Sequence, residues 1–253
     1  MSNIFLSVVI PSFDEMANLQ KGVLDKVEHF LERSKLAYEV IIVDDGSKDG
    51  SVEFVRDFIK DNSHFKLIEN PHLGKAGAVI SGMLAAEGEY ILFSDMDQAT
   101  PIEELSKLLP YFNPGNGGYD IVIGSRKKRK GAPFSRRLMA QGMIFLRSSI
   151  VGLPGISDTQ CGFKMFTREA GEKLFKKMKE IHSSQASISG SSVSAGFDVE
   201  LLYLAQKMGY KIKEVPVNWL YVETRRVSPI RDSIDGLLDL FKIKLKALKG
   251  EYK

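Results

Sequence analysis

Two carboxylates separated by one residue, Asp95 and Asp97, stand directly after the apolar run Tyr90-Ile91-Leu92-Phe93-Ser94. A run of that length and composition predicts a buried strand, and the Thr100-Pro101 that follows opens a helix-like stretch. Acids at the carboxyl end of a strand in an open α/β sheet face the crevice where ligands bind. Two such charges so close repel each other unless a cation lies between them. Mg²⁺ and Mn²⁺ are hard ions that prefer oxygen ligands, which makes Asp95 and Asp97 a candidate metal site. The same pair also suits a helix cap beside a solvent-facing acid, and Asp-x-Asp taken alone favours that simpler role.

Further groups able to do chemistry fall at other strand ends. Pro11-Ser12-Phe13-Asp14-Glu15 follows one apolar run, Asp44-Asp45 a second, and Arg126 a third. If the sheet is doubly wound, these tips and the Asp95/Asp97 tip all reach one ligand. No G-x-G-x-x-G follows the first strand, and Gly74-Lys75 lacks both the upstream glycine and the following Ser/Thr of a P-loop. A phosphate here would be held instead by a divalent ion with arginine and lysine nearby.

The elements that must position these groups alternate along the chain. Strands are expected at Leu6 to Ile10, Val40 to Val43, Phe65 to Ile68, Tyr90 to Ser94 and Tyr119 to Ile123. Helices are expected between them at Ala17 to Ser34, Val52 to Ile59 and Ala76 to Ala86. Repeated βα units imply an α/β fold with a mainly parallel central sheet flanked by helices. Beyond Arg126 the pattern loosens: a basic loop at Lys127 to Gly131, a helix over Ser135 to Leu153, a short strand near Phe163 to Phe166, and a loop over Ser183 to Ser194. A helix at Phe197 to Met208 and a strand at Lys211 to Trp219 follow, and Pro216 assigns that strand to an edge. In a C-terminal amphipathic helix, Ile230, Ile234, Leu237, Leu238, Phe241, Leu245 and Leu248 share one face. The last turns carry Lys242, Lys244, Lys246 and Lys249. That face reads either as core packing or as a surface resting on an anionic membrane.

With 253 residues and 43% hydrophobic content, the chain can form one continuous domain with a sizeable core. No stretch approaches the roughly 18 apolar residues that a membrane span needs. The N-terminus is short and uncharged for a signal peptide, so a protein of the cytosol is expected. A net charge of +3 gives no argument for nucleic acid as a partner. The single cysteine, Cys161, excludes an internal disulfide and reads as a small buried apolar group.

Several motifs together carry a resemblance. Val8-Val9-Ile10-Pro11-Ser12-Phe13-Asp14-Glu15, Val43-Asp44-Asp45-Gly46-Ser47-Lys48-Asp49-Gly50 and Asp95-Met96-Asp97, at this spacing, resemble the nucleotide-sugar half of an inverting family-two glycosyltransferase with the GT-A, Rossmann-like fold. Gly74-Lys75-Ala76-Gly77, Val122-Ile123-Gly124-Ser125-Arg126, Asp158-Thr159-Gln160-Cys161-Gly162-Phe163-Lys164, Phe197-Asp198-Val199-Glu200 and Glu214-Val215-Pro216-Val217-Asn218-Trp219 are similar to the dolichyl-phosphate glucosyltransferases and mannose synthases.

The resemblance implies a nucleotide-sugar donor bound by residues 1–126 and a polyprenyl (dolichyl) phosphate acceptor bound by residues 127–253. It implies donor contacts from Pro11, Phe13, Glu15, Asp44, Lys75, Asp95, Met96 and Asp97, with Mg²⁺ or Mn²⁺ on Asp95 and Asp97. Arg126, Arg136, Arg137, Arg225, Arg226 and Ser228 would face the acceptor phosphate. Ala99 departs from the mannose-synthase pattern, which commonly has a metal-binding glutamine there. An alcohol acceptor would need a general base, for which Asp158 and Asp198 are the available acids. The readings kept open are a UDP-glucose-dependent or GDP-mannose-dependent transfer to lipid phosphate, transfer to a saccharide hydroxyl, and a non-catalytic nucleotide-sugar-binding protein. A lipid-borne acceptor places the protein at the cytoplasmic face of a membrane, on the bilayer surface or on a membrane subunit.

Overall fold

The computed structural model describes residues 4–126, 150–183, 195–220 and 229–252. Its strands are β1 (Leu6–Ser12), β2 (Tyr38–Asp44), β3 (Phe65–Glu69), β4 (Tyr90–Ser94), β5 (Ile121–Ser125), β6 (Phe163–Thr167) and β7 (Ile212–Pro216). They form one seven-stranded sheet in the order β3-β2-β1-β4-β6-β5-β7. β6 runs antiparallel to β4 and β5, and every other pair is parallel. Because β1 lies between β2 and β4, the winding reverses at β1 and β4, and the crevice opens outside their carboxyl ends.

β1 is buried along its whole length, as a strand covered on both faces must be. Val8 and Ile10 face a core with Leu24, Leu31, Leu92 and Leu105, beside α2 (Val23–Ser34) and α5 (Leu105–Leu108). Val9 faces the opposite core with Val79, Phe93, Phe175, Leu201 and Ile243. Apart from Phe93 on β4, those residues come from α4 (Gly74–Ala85), α6 (Arg168–Ser183), α7 (Ala195–Lys207) and α8 (Pro229–Lys249). α4 sits close on the sheet: a Cβ on Gly82 would stand 2.4 Å from Val9 Cγ1. That approach brings the first turn of α4, and Lys75 with it, to the strand tips.

Several elements differ from expectation. The helix expected over Ala17 to Ser34 is two, α1 (Met16–Leu19) and α2, because Gly22 adopts a left-handed φ of 69° between them. β5 ends at Ser125, two residues later than expected. β7 occupies the edge that Pro216 suggested, but it stops at that proline. Beyond it, Asn218 turns to Glu104, donating from its backbone N–H and its Nδ2 at 2.9 Å each. Of the stripe expected on α8, Leu237 packs against the core but Leu238, Phe241, Leu245 and Leu248 are exposed, and Leu240 and Ile243 pack into the core instead. The basic loop after Arg126, most of the helix expected at 135–153, the loop up to residue 194 and the Arg225 to Ser228 segment lie outside the described residues. Among the described residues no helix is long and apolar enough to cross a membrane.

Candidate active site

β4 delivers Asp95 to the crevice, and the neighbouring chain allows it to sit there. The Asp95 N–H donates to Gly162 O at 3.1 Å, and a Cβ on Gly162 would lie 1.7 Å from an Asp95 carboxylate oxygen. Only glycine permits that approach. Asp95 Oδ1 pairs with Lys75 Nζ at 2.6 Å. Burial works against the Lys75 ammonium, but the charges of Asp95, Asp198 and Asp97 outweigh it and hold its pKa above the ordinary lysine value.

Asp97 accepts the Ala99 N–H at 2.9 Å within its own turn, and it does not cap the helical turn that follows, which starts at Ile102 with Pro101 before it and no side-chain cap; it makes no ion pair among the described residues. Burial pushes its carboxyl pKa up and the Asp95 charge adds to this, against the Ala99 hydrogen bond. Gln98 between them has a left-handed φ of 48°. Its Nε2 donates to Ser94 Oγ at 3.1 Å and to Asp95 O at 3.0 Å, while its buried Oε1 has no partner among the described residues. Among the described residues no three His, Cys, Asp or Glu side chains gather as a ready-made metal cage. Two carboxylates with an orphaned oxygen beside them still fit a hard divalent ion that completes its shell with substrate phosphates. Met96, expected among the donor contacts, buries its side chain in the core with 3% exposure.

The β1 and β2 tips form the opposite wall. Asp14 N–H donates to Ser47 Oγ, and Lys48 N–H returns to Asp14 Oδ1, both at 2.9 Å. Glu15 N–H donates to Ser51 Oγ at 3.0 Å, and the Glu15 carboxylate accepts from Asn18. Asp44 is satisfied inside its own turn, by the N–H groups of Gly46 and Ser47 and by the Ser47 hydroxyl. Asp45 reaches to the start of α4, accepting Leu73 N–H at 2.7 Å and Gly74 N–H at 2.8 Å. His72 pairs with Asp45 at 3.0 Å and stacks on Phe13 with ring centroids 4.6 Å apart. Asp45 was expected only as part of the β2 tip, without a role of its own, and His72 was not expected at the site. Only their distant partners give them a role.

The β5 and β6 side carries cations, each with its own acid. Arg126 binds Asp158 through its N–H, Nε and Nη2 at 2.9, 2.7 and 2.7 Å. Burial opposes the guanidinium charge, but Asp158 keeps the Arg126 pKa above its usual value. The Arg126 guanidinium also lies 6.0 Å from the Trp219 ring. Glu214 holds this loop by accepting from Ser157 N–H, Ser157 Oγ and Asp158 N–H. Lys164, fully buried and in register with Phe93, places Nζ 2.6 Å from Asp198 Oδ1 and 2.7 Å from Cys161 O. Lys75 and Lys164 both lie about one cation–π distance from the Phe93 ring, at 5.5 and 5.6 Å. Cys161 is buried and free, as expected, and burial pushes its thiol pKa up. Of the expected acceptor residues only Arg126 is described; Arg136, Arg137, Arg225, Arg226 and Ser228 lie outside the described residues.

The fold is like that of the glucosyl-3-phosphoglycerate synthase of Mycobacterium tuberculosis, solved with Mn²⁺, UDP-glucose and phosphoglyceric acid. The two share a TM-score of 0.60 and 18% identity over 95% of this chain and 79% of that one. Sheet order and neighbour together show a fold like that of GT-A glycosyltransferase structures. The glycosyl transferase family 2 model matches residues 7–175, and the chain belongs to that family. It is 34% identical to the dolichyl-phosphate beta-glucosyltransferase of Dictyostelium discoideum, over 100% of this chain and 78% of that protein. It is also 34% identical to the Homo sapiens protein of the same name, over 98% of this chain and 77% of that one.

Proposed function

We propose that this enzyme transfers glucose from UDP-glucose to a dolichyl or related polyprenyl phosphate, with inversion and with a divalent metal. Whole-length likeness to dolichyl-phosphate beta-glucosyltransferases supports the substrates. The observation that carries the mechanism is an asymmetry. Among the described residues Asp97 is left without an ionic partner at the sheet's switch point, whereas Asp158 and Asp198 are each neutralised by a cation.

Asp95 and Asp97 would hold Mg²⁺ or Mn²⁺ against the donor diphosphate, where the ion meets the negative charge that grows on the leaving group. Lys75 adds a second positive charge beside Asp95. The Phe13–His72 stack, with Pro11, Glu15 and the Asp44 turn, would line the nucleoside end. Residues 1–126 would thus serve the donor and those from 127 onward the acceptor, with Arg126 at the boundary facing the acceptor phosphate.

A lipid phosphate has a second pKa near 6 and arrives already anionic. Its oxygen attacks the anomeric carbon as the bond to the diphosphate breaks, and no proton need move. The difficulty is repulsion between two phosphates, and Arg126, oriented by Asp158, is placed to relieve it; Arg136, Arg137, Arg225, Arg226 and Ser228 would join it. Because the acceptor resides in a bilayer, the enzyme would work at the cytoplasmic face of a membrane. The test is incubation with a short-chain polyprenyl phosphate and a panel of UDP- and GDP-sugars, with and without chelator. Lipid-linked glucose from UDP-glucose, abolished by chelator, is expected. Turnover on saccharide hydroxyls alone, or metal-independent transfer, would contradict it.

A further inference from the structure

α8 carries apolar residues on two distinct faces, about a third of a turn apart. At roughly 3.6 residues per turn, Leu240, Ile243 and Ala247 lie toward α7 and pack into the core. Leu238, Phe241, Leu245 and Leu248 lie on the other face and are 52%, 56%, 53% and 76% exposed.

The inner face is fastened. Gly196 on α7 comes so close that a Cβ there would stand 2.7 Å from Asp239 Cβ, and its N–H donates to Asp239 Oδ2 at 3.2 Å. Buried Glu200 gathers Lys246 Nζ at 3.1 Å, Tyr252 OH at 2.5 Å and His182 Nε2 at 2.9 Å. These contacts tie α6, α7, α8 and the C-terminal turn together, so the outer stripe cannot rotate inward. By the same helical spacing, exposed Lys242 and Lys249 border that stripe on one side and exposed Lys244 on the other.

We infer that the outer stripe of α8 docks on the surface of an anionic lipid bilayer. The apolar side chains enter the headgroup boundary while the lysines, their stems lying along the interface, meet anionic headgroups. The inference rests on the reading above of a lipid phosphate acceptor, and it names the surface that brings the enzyme to that acceptor. A second copy of the chain is a poorer occupant, because the basic rims would face each other. Four side chains also fall well short of the roughly 800 Å² per partner of a standard interface.

The test is co-sedimentation of the full chain with vesicles of phosphatidylcholine, with or without phosphatidylserine. Expected is binding to the anionic vesicles, weakened by salt, and reduced about tenfold or more by the double substitution Phe241→Ser and Leu245→Ser. Lys242→Gln with Lys249→Gln should remove the preference for anionic lipid. Melting temperature should change little, because these side chains are exposed and the Lys242–Asp239 surface pair, at 2.9 Å, adds little to stability. Transfer to a short-chain acceptor free in solution should be equal in wild type and variants. Loss of vesicle binding with transfer intact therefore supports docking, while vesicle binding with no transfer by any form would overturn only the proposed reaction. Docking fails if the wild type does not bind anionic vesicles, if the double variant binds as well as wild type, or if the stripe proves to hold a dimer that the double variant dissolves.

Discussion

On the β1–β4 side of the crevice, Asp95 keeps 32% of its side chain exposed and Asp97 has no ionic partner among the described residues. On the β5–β7 side, Asp158 and Asp198 are each only 14% exposed and sit 2.7 and 2.6 Å from Arg126 and Lys164. All four are aspartates, Asp95 and Asp97 just beyond a strand, Asp158 in the loop before β6 and Asp198 in the first turn of α7, and all four were candidates for chemistry. The difference separates their work. Asp97, left without a cation among the described residues, can accept one with Asp95 beside it, whereas Asp158 and Asp198, already neutralised, hold a basic group in place.

Breaking the most buried pair should have the largest effect. Lys164→Met strands the Asp198 carboxylate beside the core and should lower folding stability by about 3–5 kcal/mol, measured by denaturant unfolding. A loss under about 1 kcal/mol would mean that the pair is not a structural unit. On the other side, Asp97→Asn should lower transfer about a hundredfold, or about 3 kcal/mol of barrier. Its melting temperature should stay level or rise, since burial disfavours the charged carboxylate. A variant that is both unfolded and inactive would erase the contrast.

Glu200 extends the pattern of neutralised acids. Burial alone would raise its pKa, but His182 and Tyr252 hydrogen bonds, with the His182 and Lys246 charges, bring it down from 4.5 to about 2. A carboxyl depressed by folding adds stability above its unfolded pKa and loses it as the pH falls through the folded one. Glu200→Gln should therefore cost about 3 kcal/mol at pH 7. The gap to wild type should close between about pH 4.5 and pH 2, as followed by pH-dependent melts. Asp198→Asn should have the smallest catalytic effect, under about tenfold in kcat with a phosphate acceptor, once its stability loss is allowed for. Abolished turnover in a folded variant would restore Asp198 as a general base.

The sheet was legible because buried parallel strands read as unbroken apolar runs, and each run at β1, β2 and β4 ends in acids that have no place in a core. The Asp95/Asp97 turn was legible for the same reason. Pairings were not. Lys164 and Asp198 are 34 residues apart and Asp45 and Gly74 are 29 apart, and no periodicity says which acid meets which base. Glu214 and Glu104 organise loops through partners 56 and 114 residues away. On α8 the stripe was found, but its orientation was not, because Leu240 and Ile243 supply a second apolar face that competes for the core.

Binding of UDP-glucose measured by titration calorimetry, with and without Mn²⁺, in the wild type and in Asp97→Asn, tests the donor site most directly. Wild-type affinity should rise sharply with Mn²⁺, and the variant should show little or no metal dependence. Equal affinity with and without the ion, or an Asp97→Asn profile that matches wild type, would contradict the assignment of these acids to the metal.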